Sequence, residues 1–130
     1  GKKMKEVEKE RVNQAFEHGA NDFSKKDLDK VMGDAEIAES KGGKLGEQFE
    51  NFKLLWALLK DYYNKVYPNA PWKLVAAIGF AVAYLVSPID VIPDFIPFAG
   101  FIDDASVFAL VVKGFESDIT DYKNWLKKNK

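Results

Sequence analysis

Three prolines fall within the ten residues Pro88-Ile89-Asp90-Val91-Ile92-Pro93-Asp94-Phe95-Ile96-Pro97, and no other feature limits the fold so strongly. Proline lacks the backbone N–H that a helix interior or a central strand requires, so this run is a structured connection. Both flanks are apolar. Trp72 to Val86 carries one charge, Lys73, and reads as a helix closed by Ser87-Pro88, because the residue before a proline disfavours helical backbone. A further helix is predicted from near Asp103 to about Lys127, with Phe108, Val111, Val112, Phe115, Ile119, Tyr122 and Leu126 on one face. Residues 72–112 therefore form an apolar hairpin around a proline-rich turn.

The remainder of the chain supplies amphipathic helices to cover that hairpin. A charge-rich helix is expected over Met4 to His18, with Val7, Val12, Ala15 and Phe16 as its thin apolar stripe, and His18 as a surface residue at its end before Gly19. Phe23-Ser24-Lys25-Lys26-Asp27-Leu28 is a start signal in which Ser24 caps, Asp27 answers three residues on, and Phe23 staples against Leu28. The helix it opens runs to about Ser40, with Leu28, Val31, Met32, Ala35 and Ala38 inward, and Gly42-Gly43 ends it. Leu45, Phe49, Phe52, Trp56, Leu59, Tyr63 and Val66 then recur at steps of four and three, widened by Leu55, Leu58 and Tyr62. That width suits a helix inside a bundle better than a coiled-coil seam. No alternating strand pattern occurs. The fold class is all-α: one domain over residues 1–130, a compact bundle of about five helices with a central apolar helix, residues 1–22 forming a loosely attached N-terminal helix.

At 130 residues the chain has room for one core. Nineteen basic and 20 acidic side chains give no general attraction to nucleic acid. The absence of cysteine removes disulfides, thiolate nucleophiles and Cys-based zinc sites. No Gly-rich phosphate loop, His-Glu-x-x-His or Gly-x-Ser-x-Gly motif is present, so no catalytic residue or cofactor is assigned. The first 20 residues lack the continuous apolar stretch of a signal peptide, which points to a cytoplasmic protein.

Charge is unevenly spread. Between Leu74 and Val112 the only charged side chains are Asp90, Asp94, Asp103 and Asp104, with no Lys or Arg among them. Unpaired carboxylates are costly in an apolar setting, so they need partners. Free backbone N–H groups at the breaks and at the start of the last helix are one source. Arg11, Lys53, Lys60 and Lys73, folded over the turn, are another. A sharper alternative is a divalent-metal site for Mg²⁺ or Ca²⁺, or a hydrolytic centre, built on the same four aspartates; the spacing of a calcium-binding loop is absent.

The run Tyr84-Leu85-Val86-Ser87-Pro88-Ile89-Asp90-Val91-Ile92-Pro93-Asp94-Phe95-Ile96-Pro97, followed by Gly100 and Asp103-Asp104, closely resembles the signature of the YkvA-like family, bacterial domains of unknown function. The signature positions are Ser87, Pro88, Asp90, Pro93, Asp94, Pro97, Gly100, Asp103 and Asp104, and none departs from the pattern. The flanks are similar too, so that the likeness covers most of residues 12–126. It implies a helical protein with no established activity and an association with membranes.

Residues 74–92 form a 19-residue window with one charge, but its helical part, Trp72 to Val86, spans only ~22 Å against a hydrocarbon core of ~30 Å. A soluble bundle with this helix inside accounts for the same composition, with peripheral or inserted forms, anchored by Tyr62, Tyr63, Tyr67 and Trp72, as the alternative. The reading reached is a non-enzymatic interaction module, monomer or homodimer, that docks a protein partner or a membrane surface through Phe95, Ile96, Phe98 and Phe101. Protonating the aspartates in acid should loosen the hairpin and make it more compatible with lipid.

Overall fold

The computed structural model describes residues 13–87 and 104–130, apart from the Asp104 side chain. The fold is all-α. Helix α1 occupies residues 13–22, α2 Lys25–Gly33, α3 Ala35–Gly42, α4 Phe49–Tyr63, α5 Trp72–Val86, α6 Asp104–Gly114 and α7 Glu116–Asn129, with a 3₁₀ turn at Gly46–Gln48 before α4.

The start signal at Ser24 forms as a capping box. The Asp27 backbone N–H donates to Ser24 Oγ at 3.2 Å, and the Ser24 N–H donates to Asp27 Oδ2 at 2.9 Å. Two expected helices are each broken in two. The helix expected to continue to Ser40 is interrupted at Asp34 (φ −99°, ψ 23°), and the last helix is interrupted at Phe115 (φ −134°, ψ 36°). Each break follows a glycine, Gly33 or Gly114, where helix propensity is about 1 kcal/mol below that of alanine. The apolar face runs on through both breaks, with Val31 and Ala38 buried on either side of the first and Val111 and Ile119 on either side of the second.

Two further boundaries move. Helix α1 continues past His18 and Gly19 to residue 22, and Gly19 within it is packed against the Phe80 ring, where a Cβ would overlap it. Helix α4 stops at Tyr63, and Lys65 takes a left-handed backbone with φ 64°. The N–H groups of Val66 and Tyr67 donate to the Asp61 carbonyl at 2.8 and 3.0 Å. The stripe therefore ends early: Tyr63 and Val66 are exposed, while Phe52, Leu55, Trp56, Leu58 and Leu59 are buried.

Helix α5 is the centre. Every residue from Leu74 to Val82 is buried, and so are Tyr84 and Leu85. Helices α2, α3, α4 and α6 all pack on it, and Phe16 of α1 lies 5.4 Å from Phe80 between ring centroids. Neighbouring positions interlock in opposite senses: Gly79 receives the Phe23 ring, and Phe80 covers Gly19. Across the bundle Phe52 meets Phe108 edge to face at 5.5 Å, joining α4 to α6. Trp56 Nε1 donates to Glu39 Oε2 at 3.1 Å, joining α4 to α3.

Candidate functional site

The connection singled out in the sequence follows Ser87, at the C-terminal end of α5. Helix α6, on its far side, packs on α5 more extensively than any other pair of elements. The first turns of α5 (Trp72, Lys73, Ala76) and the end of α6 (Lys113, Gly114) line one groove, so the two helices run antiparallel as a hairpin requires.

At the exit point the backbone is held by two hydrogen bonds. The Ser87 N–H donates to the Ala83 carbonyl at 2.9 Å, and Lys41 Nζ of α3 donates to the Val86 carbonyl at 3.0 Å. A lysine at this position satisfies a terminal carbonyl and places positive charge at the negative end of the helix. Ser87 has turned out of the helix (φ −143°, ψ 75°), as its place before Pro88 demands. Beside it opens a cleft of about 260 Å³, lined by Gly19, Asp22, Phe23, Asp27, Val86 and Ser87 among others. Two of its acids are already engaged: Asp22 Oδ2 is 3.2 Å from His18 Nε2, and Asp27 serves the capping box. His18 itself is on the surface, as expected, though within α1 rather than at its end.

Ser87 is the one signature residue whose side chain is described. Pro88, Asp90, Pro93, Asp94, Pro97, Gly100 and Asp103 lie outside the described residues, as do Phe95, Ile96, Phe98 and Phe101; Asp104 is described only as backbone, at the start of α6. Arg11 also lies outside them. Of the lysines expected as counter-charges, Lys53 pairs with Glu50 at 3.2 Å, and Lys60 lies 4.0 Å from Glu39 and over the Trp56 ring. Lys73 sits at the opposite end of α5 from Ser87, ~20 Å along the helix axis. Among the described residues no group of three or more His, Asp or Glu side chains is close enough to hold a metal ion.

Lys41 escaped the sequence reading because it stands beside Gly42-Gly43, read only as a helix stop, and its acceptor lies 45 residues away. A second polar feature was missed for the same reason. Tyr122 of α7 is fully buried, and its hydroxyl donates to Asp61 Oδ2 of α4 at 2.7 Å; Lys130 Nζ approaches the same oxygen at 3.4 Å. Burial first, then the hydrogen bond to Asp61 and its negative charge, push the Tyr122 phenol well above the ordinary range. Tyr67 and Trp125 pack round it with centroids 5.0 and 5.9 Å from the Tyr122 ring. This cluster fastens α7 to the end of α4.

Among the described residues no helix is long and apolar enough to cross a membrane. Comparison with known proteins locates the family signal in the hairpin: a family described as "Protein of unknown function (DUF1232)" matches residues 74–110. The chain is 33% identical over 76 residues to a Bacillus subtilis (strain 168) protein named "Uncharacterized membrane protein YkvA", a match covering 58% of this chain and 72% of that one. No solved structure matches.

Proposed function

The chain belongs to the YkvA-like family of bacterial proteins of unknown function (DUF1232), and from that premise we propose that it is a non-enzymatic module that docks on the cytoplasmic surface of a membrane through the apolar connection between α5 and α6. The observation that carries this reading is the enclosure of α5. The most apolar helix is 15 residues long and buried within its own chain from Leu74 to Val82, too short and too well covered to span a bilayer. The relative is nevertheless named a membrane protein. A contact made by the exit of the hairpin reconciles the two, and Phe95, Ile96, Phe98 and Phe101 supply apolar side chains where solvated loops are polar. Asp90, Asp94, Asp103 and Asp104 beside them set its pH dependence, because a carboxylate enters a bilayer interface at less cost once protonated.

Co-sedimentation with phosphatidylglycerol vesicles tests the proposal. Little binding is expected at about pH 7 and clear binding near pH 4, where carboxylates with ordinary values of about 3.9 take up protons. Phe98→Ser should weaken capture several-fold and leave the melting temperature in place, whereas Ile37→Ser, on the exposed face of α3, should change neither. A Phe98→Ser protein that melts far lower yet binds vesicles as before would make Phe98 a core residue and remove the docking surface. Equal binding at both pH values, or none at either, would remove the membrane reading.

A further inference from the structure

At the end of α5 remote from Ser87, a groove of about 820 Å³ runs between α1, the start of α5 and the end of α6. Its size falls within the ~300–1,000 Å³ of small-molecule sites. The lining is mixed, with Asn13 and Asn21 of α1 as its neutral polar residues. Phe16, Ala20, Ala76, Ala77, Leu110 and Phe115 give it an apolar body, and Lys73 of α5 and Lys113 of α6 bring two cations to it. Among the described residues Glu17 is the one acid in the lining. Neither lysine forms an ion pair among the described residues, whereas Lys53, Lys60 and Lys130 each have a carboxylate partner. The N-terminus of α5 adds to the same field, since it begins at Pro71 with no side-chain cap and no acidic residue in its first turn.

We infer that this groove binds a single-chain anionic amphiphile, a fatty acid or its chemical equivalent, with the alkyl chain along the alanines and phenylalanines and the carboxylate between Lys73 and Lys113. The apolar body selects a chain over a bare anion. The two lysines select an acid over an amine or a neutral head. Trp72, half-buried in the same lining with its ring centroid 6.5 Å from that of Tyr62, is placed to report occupancy by fluorescence. The site stands apart from the docking reading, because it uses the opposite end of α5 from the connection.

Laurate below its micelle-forming concentration, titrated against the intact chain, is the test, with dodecyltrimethylammonium and inorganic phosphate as the other arms. Laurate should bind at one equivalent, shift the emission of the native chain but not of Trp72→Phe, and raise the melting temperature. The other two should bind at least tenfold more weakly. Lys73→Glu/Lys113→Glu, both exposed positions, should keep the helical circular dichroism and lose at least tenfold in laurate affinity, ~1.4 kcal/mol. No binding of laurate, equal binding of the cationic analogue or of phosphate, or a double variant that binds laurate unchanged would each overturn the assignment. No vesicles are present, so failure here leaves the docking proposal intact, and the reverse holds for Phe98→Ser.

Discussion

The Tyr122 hydroxyl and the Asp61 carboxylate, 61 residues apart in sequence, meet at 2.7 Å with the tyrosine ring fully buried. A hydrogen bond to a charged acceptor contributes ~1.5–3 kcal/mol. Tyr122→Phe should therefore lower stability by about 1–3 kcal/mol in urea unfolding. Asp61→Ala should cost a similar amount, and the double variant clearly less than the two together. Additive losses would mean that the two groups act independently.

The same pair gives stability an alkaline limit. The folded pKa of Tyr122 is raised above the ordinary value of about 10, so its contribution is fully present below that value and is lost as pH rises toward the folded one. Burial and the charges of Asp121 and Asp118 raise Tyr67 in the same direction. The melting temperature should fall as pH rises above about 10, and Tyr122→Phe should show a shallower fall over that range. Parallel curves for the two proteins would mean that Tyr122 does not set the alkaline limit.

Gly79 should resist replacement although it lies inside a helix. Alanine would gain about 1 kcal/mol in helix propensity, but its Cβ would press on the Phe23 ring, and overpacking of this kind costs ~1–3 kcal/mol. A net loss is expected for Gly79→Ala in thermal melting, partly recovered by adding Phe23→Leu. Gly33→Ala, with open space at its Cβ position, should be neutral or stabilising.

Divalent cations test the alternative built on the four aspartates. Excess Mg²⁺, Ca²⁺ or Mn²⁺ is expected to leave the melting temperature where chelator leaves it. A bound ion at one hundred times its dissociation constant would add about 2.7 kcal/mol to the folded state, a shift easily seen for a chain of this size.

The parts of this fold that could be read from sequence are those fixed by nearest neighbours and by period. Ser24 and Asp27 close a capping box three residues apart, and Phe52, Leu55, Trp56 and Leu59 point inward from a stripe long enough to define a helix. The breaks at Asp34 and Phe115 were hidden because the apolar face carries through them; the glycine before each was the available signal. Glycine alone does not decide the matter, since Gly19 and Gly79 sit in unbroken helices with a phenylalanine ring in place of a side chain. At the candidate site, the role of Ser87 followed from Pro88, a local constraint, whereas Lys41 and Val86, 45 residues apart, are brought together only by the packing of α3 on α5.

The burial of α5 on all sides also sets the order in which the molecule can be made. Helices α1 to α4 precede α5 in the chain and have apolar faces turned toward it, so during synthesis their contacts with one another lack the central helix until residues 72–86 arrive. Those residues in turn wait for α6, their most extensive neighbour, which follows only after the proline-rich connection. The nascent chain must therefore display its most apolar stretch before its last covering helix exists. That interval is when a chaperone, or a bilayer, competes with the protein's own C-terminal helices for the same surface.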